Sequence, residues 1–254
     1  LPIIDKPLVQ YAVEEAIEIG IEEIVFITND EKHSIKKHFE NNQKLEQKLL
    51  RKNKEEFVEK LNPKIFKDIK FHYVIQEEQN GLGDAVLKAE SLINGEAFAL
   101  LLPDDLFFSK KSCLSQLSSI FLNTNASTIA VNKIDKNNIH KYGVIKPGKE
   151  KNDAILIDDI IEKAPSDIAV CGRYIFTSTI FDHLKKIELD KSGEIQLTDA
   201  IKSLLSEEQV YAKIYEGEKF DCGSKMGFVH ATIALALRDE SISQDINKII
   251  KEII

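Results

Sequence analysis

Two acidic segments, more than a hundred residues apart, carry the side chains best suited to hold a divalent cation. Asp104 and Asp105 follow the apolar run 97–102 after a single proline, and Asp221 follows a predicted strand two residues before Gly223, which opens the turn into a helix. Mg²⁺ is typically bound by one or two carboxylates together with phosphate oxygens and water. A shared cation site is therefore one interpretation, and Asx turns or helix caps are the other. The sequence leaves open whether the two segments meet.

Polar segments at two further places could bind a nucleotide or a sugar phosphate. Gln76 begins a polar turn that contains Gly81 and Gly83, and a glutamine amide can read the donor and acceptor edge of a base. Glu162 and Lys163 form an adjacent pair that could accept hydrogen bonds from sugar hydroxyls and neutralise a phosphate. The plainer interpretations are a tight turn before an ordinary helix and a charge pair on the surface.

The sequence contains no motif typical of a catalytic nucleophile or of a zinc site. The six histidines form no HxxxH or HxH cluster, and no GxSxG segment occurs. Cys113, Cys171 and Cys222 lie far apart without CxxC spacing, which fits neither a zinc site nor a disulfide framework. We therefore expect buried, unmodified cysteines and a reducing cytoplasm.

Composition narrows the range of partners. The 254 residues include 34 basic and 42 acidic side chains, a net charge of −8, which argues against binding to a nucleic acid backbone. Hydrophobic residues make up 43% of the chain, as in ordinary globular proteins. No apolar run approaches the roughly 18 residues that a membrane span needs. We expect no nucleic acid and no membrane among the partners.

The pattern of apolar residues predicts the elements that must position these side chains. In the first half, a helix over 7–19 and strands over 24–28, 71–75 and 97–102 alternate with helices over 82–93 and 112–121. This alternation is typical of a mostly parallel sheet covered by helices. The second half predicts strands over 127–134, 142–146, 154–162 and 169–177, then helices over 178–187, 195–205 and 225–238. We therefore expect an antiparallel extension.

Two amphipathic segments are candidates for contacts with other molecules. Residues 36–61 are rich in Lys, Glu and Gln with leucines at helical intervals, which indicates a solvated helical excursion or a partner-binding helix. Residues 242–254 carry isoleucines at helical spacing, and this stripe packs either on its own domain or on a second copy of the chain.

Eight segments, taken in order, resemble those of the sugar-1-phosphate nucleotidyltransferases, most closely their bacterial uridylyl branch. They are 1–11 (LPIIDKPLVQY), 81–86 (GLGDAV), 102–105 (LPDD), 142–144 (YGV), 162–163 (EK), 171–174 (CGRY), 193–199 (GEIQLTD) and 220–223 (FDCG). The resemblance covers essentially the whole chain. It implies an α/β, three-layer Rossmann-like nucleotidyltransferase fold with a mixed, mostly parallel central sheet and an antiparallel sugar-binding extension.

The resemblance also implies a division of labour within a single domain over 1–254. The nucleotide-binding half is 1–126, the sugar-binding half is mainly 127–223, and C-terminal helices fill 224–254. The family's glycine-rich GxGTR loop precedes the position of Leu1. We therefore expect the sequence to be part of a longer polypeptide, because that loop binds the triphosphate. A homo-oligomer is also expected.

The implied reaction is uridylyl transfer from UTP to glucose 1-phosphate, giving UDP-glucose and pyrophosphate with Mg²⁺ as cofactor. By similarity, the catalytic residues are Asp104, Lys163 and Asp221, and the metal ligands are Asp104 and Asp221. Nucleotide contacts are expected at Gln76, Gly81 and Asp104, and sugar contacts at Gly143, Glu162, Lys163 and Gly172. Asp105, Arg173 and Asp199 lie in the same motifs but each also has a credible structural role.

Three alternatives to this interpretation stay open at the level of sequence. A relative that uses dTTP or another sugar phosphate would carry the same motifs. A non-catalytic binding or regulatory subunit would keep the fold and the pocket. A scaffold acting through the charged segment 36–61 has only that segment in its favour.

Overall fold

A computed structural model describes residues 1–29, 33–40, 43–134, 142–162 and 166–253. Its strands are β1 (Pro2–Ile3), β2 (Lys6–Pro7), β3 (Glu23–Thr28), β4 (Lys70–Ile75), β5 (Phe98–Leu101), β6 (Asp105–Phe108), β7 (Thr128–Lys133), β8 (Gly143–Lys151), β9 (Ala154–Glu162), β10 (Ile168–Phe176), β11 (Tyr211–Ile214) and β12 (Glu218–Asp221). Its α-helices are α1 (Leu8–Glu18), α2 (His33–Phe39), α3 (Gln43–Leu50), α4 (Glu55–Leu61), α5 (Gly81–Leu87), α6 (Glu90–Ile93), α7 (Cys113–Thr124), α8 (Ile180–Leu184), α9 (Leu197–Leu204), α10 (Lys225–Arg238) and α11 (Ser243–Ile253). A short 3₁₀ turn spans Lys64–Phe66.

Local chemistry explains where several helices begin and end. Ser112 caps α7, because its hydroxyl accepts a bond from the Ser115 amide at 3.4 Å. Asn125 ends that helix in the left-handed conformation with φ 51°. The single helix expected over 82–93 is instead two helices. The Ala89 amide bonds to the Val86 carbonyl, only three residues back, and this tighter turn separates α5 from α6.

The chain divides into two compact units. The first comprises 1–19, 99–176 and 209–254, and the second comprises 20–98 and 177–208. These units are defined by packing and interleave along the sequence, whereas the halves expected above are defined by ligand. The assignment of ligands to those halves therefore stays a prediction.

The first unit contains a six-stranded sheet in the order β5, β10, β7, β11, β9, β8. Its central strand β7 is apolar and completely buried at Ile129, Ala130 and Val131, as expected for a strand covered on both faces. A two-stranded antiparallel sheet of β6 and β12 packs against Ile3, Ala231 and Leu235. That small sheet carries the acidic side chains described below.

The predicted α/β class with mixed strand directions is confirmed. The sequence predicts a mostly parallel central sheet, but the pairings described for the six-stranded sheet are mostly antiparallel. There β7 and β11 run parallel, while β7 with β10, β9 with β11 and β8 with β9 run antiparallel. One cause is local. Asn152 and Asp153 both have positive φ, 52° and 64°, which allows the two-residue turn that reverses the chain between β8 and β9.

The second unit contains the parallel pair β3 and β4. Helices α2 to α4 lie between these strands in the sequence, so the helical character predicted for 36–61 is confirmed. Phe39 of α2 packs on Phe26 and Phe71, with ring centroids 5.0 Å and 4.9 Å away. Within the described residues, no helix is both long and apolar enough to span a membrane.

Candidate functional site

Pairing between β6 and β12 brings the two acidic segments together. In the antiparallel register, Asp105 lies opposite Asp221, and Phe220 lies opposite Leu106. The ladder continues one step further, because the Cys222 amide donates to the Asp104 carbonyl at 2.8 Å. The convergence that the sequence left open is therefore present in the structure.

The carboxylates of Asp104 and Asp221 border the same small space beside Gly223. A Cβ atom on Gly223 would lie 3.0 Å from Asp104 Oδ2 and 3.2 Å from Asp221 Oδ1. The Gly223 amide also donates to Asp221 Oδ1 at 3.1 Å. A glycine at this position therefore leaves room between the two carboxylates that any side chain would fill.

The carboxylate of Asp104 is partly buried and lies close to two other negative charges. Burial of its carboxylate, followed by the negative charges of Asp105 and Asp221, raises the pKa of Asp104 above its usual value. The charged form is thus held in surroundings that disfavour it. A bound cation would relieve that repulsion.

Both carboxylate oxygens of Asp105 have partners within the protein. Its Oδ2 accepts a hydrogen bond from the Gly172 amide at 2.8 Å, and its Oδ1 lies 2.8 Å from the Lys219 ammonium. Burial lowers the pKa of Lys219. The charge and hydrogen bond of Asp105, together with Cys171 and Tyr142, outweigh burial, so this pKa is raised overall. The charge of Asp105 is thus already balanced by Lys219, whereas no ion pair of Asp104 or Asp221 occurs among the described residues, which leaves these two carboxylates for a bound cation.

Tyr142 reaches the same cluster from the residue before β8. Its hydroxyl donates to Asp221 Oδ2 at 3.2 Å, and the Lys219 ammonium lies 5.3 Å from the centre of its ring. Burial raises the pKa of Tyr142, so its hydroxyl stays protonated and keeps donating at neutral pH. Sequence reasoning missed Lys219. The available signal was its position two residues before Asp221, which places both on one face of β12.

Gly172 and Arg173 secure the loop that carries Asp104. A Cβ on Gly172 would lie 2.6 Å from the Cβ of Leu102, so only glycine fits there. The Arg173 guanidinium donates to the carbonyls of Leu102, Gly172 and Asp105 at 2.8, 2.9 and 3.1 Å. Both residues thus have structural functions, and the Gly172 amide is already engaged by Asp105. A sugar contact at Gly172 stays a prediction.

In the second unit, Gln76 and Gly81 lie together at the start of α5. The Gln76 amide nitrogen donates to the Gly81 carbonyl at 3.2 Å and to Asp84 Oδ2 at 2.7 Å. The glycines themselves are required by a neighbouring segment. A Cβ on Gly81 would lie 2.8 Å from the Cβ of Glu194, and one on Gly83 would lie 2.6 Å from the Ile195 carbonyl oxygen. Two of the sequence motifs, 81–86 and 193–199, therefore pack on each other.

The structure describes some of the remaining candidate residues and leaves out others. Gly143 begins β8 and lies opposite Glu162 in the register of β8 and β9, so the backbones of two predicted sugar contacts are neighbours across the two strands. Lys163 and the side chain of Glu162 lie outside the described residues. Asp199 lies in the first turn of α9, where a negative charge favours the helix.

The donor set around Gly223 suits Mg²⁺. Among the described residues, no group of three or more His, Cys, Asp or Glu side chains is arranged to hold a metal ion. Two hard carboxylates that share one space are nevertheless what Mg²⁺ uses when substrate phosphates and water complete its coordination. Asp104 and Asp221 are therefore the residues that could hold it.

Comparison with known families defines the class of the protein. Residues 1–237 match the family model described as nucleotidyl transferase. The chain therefore belongs to the nucleotidyl transferase family, and the family resemblance inferred from the eight segments is confirmed.

The most informative relatives lie in one branch. The chain is 41% identical to the UTP–glucose-1-phosphate uridylyltransferase of Staphylococcus epidermidis, covering 100% of this chain and 89% of that protein. It is 40% identical to UTP–glucose-1-phosphate uridylyltransferase 1 of Staphylococcus saprophyticus, over 100% and 90% of the two chains. These relatives carry a single enzymatic activity in their names.

Solved structures agree with this placement. The UTP-bound UGPase from Acinetobacter baumannii has a TM-score of 0.91 to this chain at 32% identity, covering 99% of this chain and 90% of that one. UDP-glucose pyrophosphorylase complexed with UDP-glucose has a TM-score of 0.84 at 36% identity, covering 94% and 89%. The predicted nucleotidyltransferase fold is thereby confirmed.

Proposed function

We propose that this protein transfers the uridylyl group of UTP to glucose 1-phosphate, releasing pyrophosphate and forming UDP-glucose. The main support is full-length similarity to uridylyltransferases at about 40% identity. The structural observation that carries the proposal is the meeting of Asp104 and Asp221 beside Gly223. That arrangement suits a substrate rich in phosphate and accompanied by a divalent cation.

In the proposed reaction, a phosphate oxygen of glucose 1-phosphate attacks the α-phosphorus of UTP, and the bond from that phosphorus to pyrophosphate breaks. Such transfers depend mainly on alignment and charge neutralisation, with little covalent help from the protein. Mg²⁺ held by Asp104 and Asp221 would offset the charge that builds on the leaving pyrophosphate. Tyr142 and the Gly223 amide orient Asp221 through hydrogen bonds to its two oxygens.

The described cysteines support a route without a covalent enzyme intermediate. Cys113, Cys171 and Cys222 are buried and free. Burial, followed by the charge of Asp105, raises the pKa of Cys222 to about 11, so the thiol beside the site is protonated at neutral pH. It is therefore a poor nucleophile.

Substrate contacts follow from the family pattern. Gln76 and the Gly81 backbone would bind uracil, and Glu162 together with the backbone of Gly143 and Gly172 would bind the sugar. Lys163 would balance the charge of the sugar phosphate. A homo-oligomer in the cytoplasm is part of the same proposal.

The test is pyrophosphate release by the full-length protein with Mg²⁺, glucose 1-phosphate and each of UTP, dTTP and CTP. We expect turnover with UTP well above that with the other nucleotides. Equal turnover with dTTP would contradict the uridylyl assignment. An Asp104→Asn variant separates an enzyme from a binding subunit: we expect its turnover to collapse while its circular dichroism spectrum stays unchanged. An exposed Asp245→Asn variant is the matched control.

A further inference from the structure

The orientation of the Gln76 amide is fixed by two acceptors. Its Nε2 lies 2.7 Å from Asp84 Oδ2 and 3.2 Å from the Gly81 carbonyl oxygen. A carboxylate and a carbonyl can only accept hydrogen bonds. The amide must therefore turn its NH₂ group towards them, and the opposite orientation would bring three oxygens together.

This orientation leaves the amide oxygen of Gln76 for other partners. Within the described part of the chain, no group donates a hydrogen bond to Oε1 of Gln76. Gln76 is half-buried at the end of β4. Its side chain therefore presents an acceptor, and not a donor, to any ligand that reaches it.

Asp84 is well placed to impose this orientation. Asp84 is only 6% exposed. It lies in the first turn of α5, and the helix fixes the position of its backbone. The Lys88 ammonium lies 3.6 Å from its other carboxylate oxygen. The position of the carboxylate is thus set by the helix and by its contact with Gln76, and Lys88 is an exposed partner of its other oxygen.

We propose that Asp84 is a positioning residue for base selection, which sets the hydrogen-bonding polarity of Gln76 in the nucleotide site. This inference rests on the proposed function, in which Gln76 meets uracil. Uracil and thymine carry an N3–H donor that suits an acceptor at Oε1, whereas N3 of cytosine is itself an acceptor. Asp84 therefore favours UTP over CTP without touching the base.

A purely structural role for Asp84 predicts a different outcome. If the carboxylate only stabilised the first turn of α5, its loss would lower stability and would reduce activity with every nucleotide alike. A positioning role changes the ratio of activities with UTP and CTP. That ratio is insensitive to the amount of folded enzyme.

The experiment measures kcat/KM of the full-length protein with UTP and with CTP for the parent, Asp84→Asn, Gln76→Glu and the double variant. An asparagine at position 84 can donate as well as accept, so we expect D84N to lower the UTP to CTP ratio about tenfold. Q76E places two carboxylates against each other and should cost more. Adding D84N to Q76E supplies a donor between them, and we expect kcat/KM for UTP to recover about tenfold over Q76E alone.

Lys88→Met is the matched control, because it removes the exposed partner of Asp84 and leaves the contact with Gln76 in place. We expect its UTP to CTP ratio to equal that of the parent. An unchanged ratio in D84N, or a double variant no better than Q76E, would overturn the inference while the parent activity stands. No turnover of UTP by the parent would overturn the proposed function and this inference with it.

Discussion

Arg173 and Glu15 form a buried ion pair, with Nε 2.8 Å from Oε2, although 158 residues separate them in the sequence. The Arg173 side chain is 1% exposed and that of Glu15 is 9% exposed. The remaining nitrogens of Arg173 bind the carbonyls of Leu102 and Asp105, on either side of Asp104 in the chain. The loop that carries a proposed metal ligand is thus fastened to a buried charge pair.

Replacing Arg173 should therefore destabilise the protein strongly. Arg173→Met leaves the Glu15 carboxylate buried without its cation, and we expect a loss of about 3–5 kcal/mol in the free energy of unfolding. Arg173→Lys keeps the charge but loses the planar fork that reaches three carbonyls, so we expect an intermediate loss. Urea unfolding at neutral pH measures both.

Lys248→Met is the control for that comparison, because its ion pair with Asp245 is exposed on both sides. Pairs of this kind contribute little to stability. We expect the unfolding midpoint of this variant to equal that of the parent. Equal midpoints for R173M and the parent would contradict the anchoring role of Arg173.

Gly223→Ala should weaken the binding of the divalent cation and leave the fold stable. The added methyl group would lie about 3 Å from oxygens of Asp104 and Asp221 and would push them apart. We expect the Mg²⁺ concentration that gives half-maximal activity to rise. Titration of activity with Mg²⁺ measures it.

The adjacent Ser224 supplies the matched control for Gly223. Its hydroxyl accepts a bond from the Gly227 amide at 3.1 Å and caps α10, and it donates to the backbone carbonyl of Asp221 at 3.0 Å, not to its carboxylate. Ser224→Ala should cost about 1 kcal/mol of stability without changing the Mg²⁺ requirement. A shifted Mg²⁺ requirement in S224A, or an unchanged one in G223A, would count against the role of this space.

Asp104→Asn should stabilise the protein when divalent cations are removed. The raised pKa means that the folded state binds a proton at Asp104 more tightly than the unfolded state does. Above that pKa, the ionised carboxylate therefore opposes folding, and a neutral amide removes the cost. Urea unfolding at pH 7 in EDTA should show a higher midpoint for D104N. A lower midpoint would mean that the carboxylate supports the fold.

Self-association is predicted to involve α11. In the structure, Ile249 is 49% and Ile253 is 78% exposed, so part of the isoleucine stripe predicted over 242–254 is uncovered. We expect the double variant Ile249→Lys/Ile253→Lys to sediment as a smaller species than the parent. Asn247→Lys, on the same helix, controls for added charge. A parent that sediments as a monomer would show the prediction to be wrong.

Local chemistry explains how much of this fold could be predicted from the sequence. The helix expected over 7–19 is observed as α1 at Leu8–Glu18, because Pro7 and Gly20, which has φ 89°, lie just outside its two ends, where proline and glycine are over-represented. Strand β9 and helix α10 have the predicted bounds. Each of these elements is a long, mostly apolar run, and length separates the nine-residue strand from the helices of 11 and 14 residues.

What the sequence could not predict are pairings between distant short segments. Strands β6 and β12 have four residues each, too few to reveal a period, and nothing local specifies that Asp105 lies opposite Asp221. The partner of Arg173 is likewise set by the tertiary fold. The sequence of segment 81–86 predicts that its glycines make room for a ligand or form a tight turn, whereas contact with Glu194 and Ile195 explains why glycine is required there.

The central claim is that Asp104 and Asp221 bind one divalent cation together. The most direct measurement is Mn²⁺ binding by isothermal titration, in the presence of UDP-glucose, to the parent, Asp104→Asn, Asp221→Asn and the double variant. Because both carboxylates serve one ion, we predict that either single substitution removes most of the affinity and that the double variant is no worse. Parent-like affinity in either single variant, or losses that add independently, would contradict the claim.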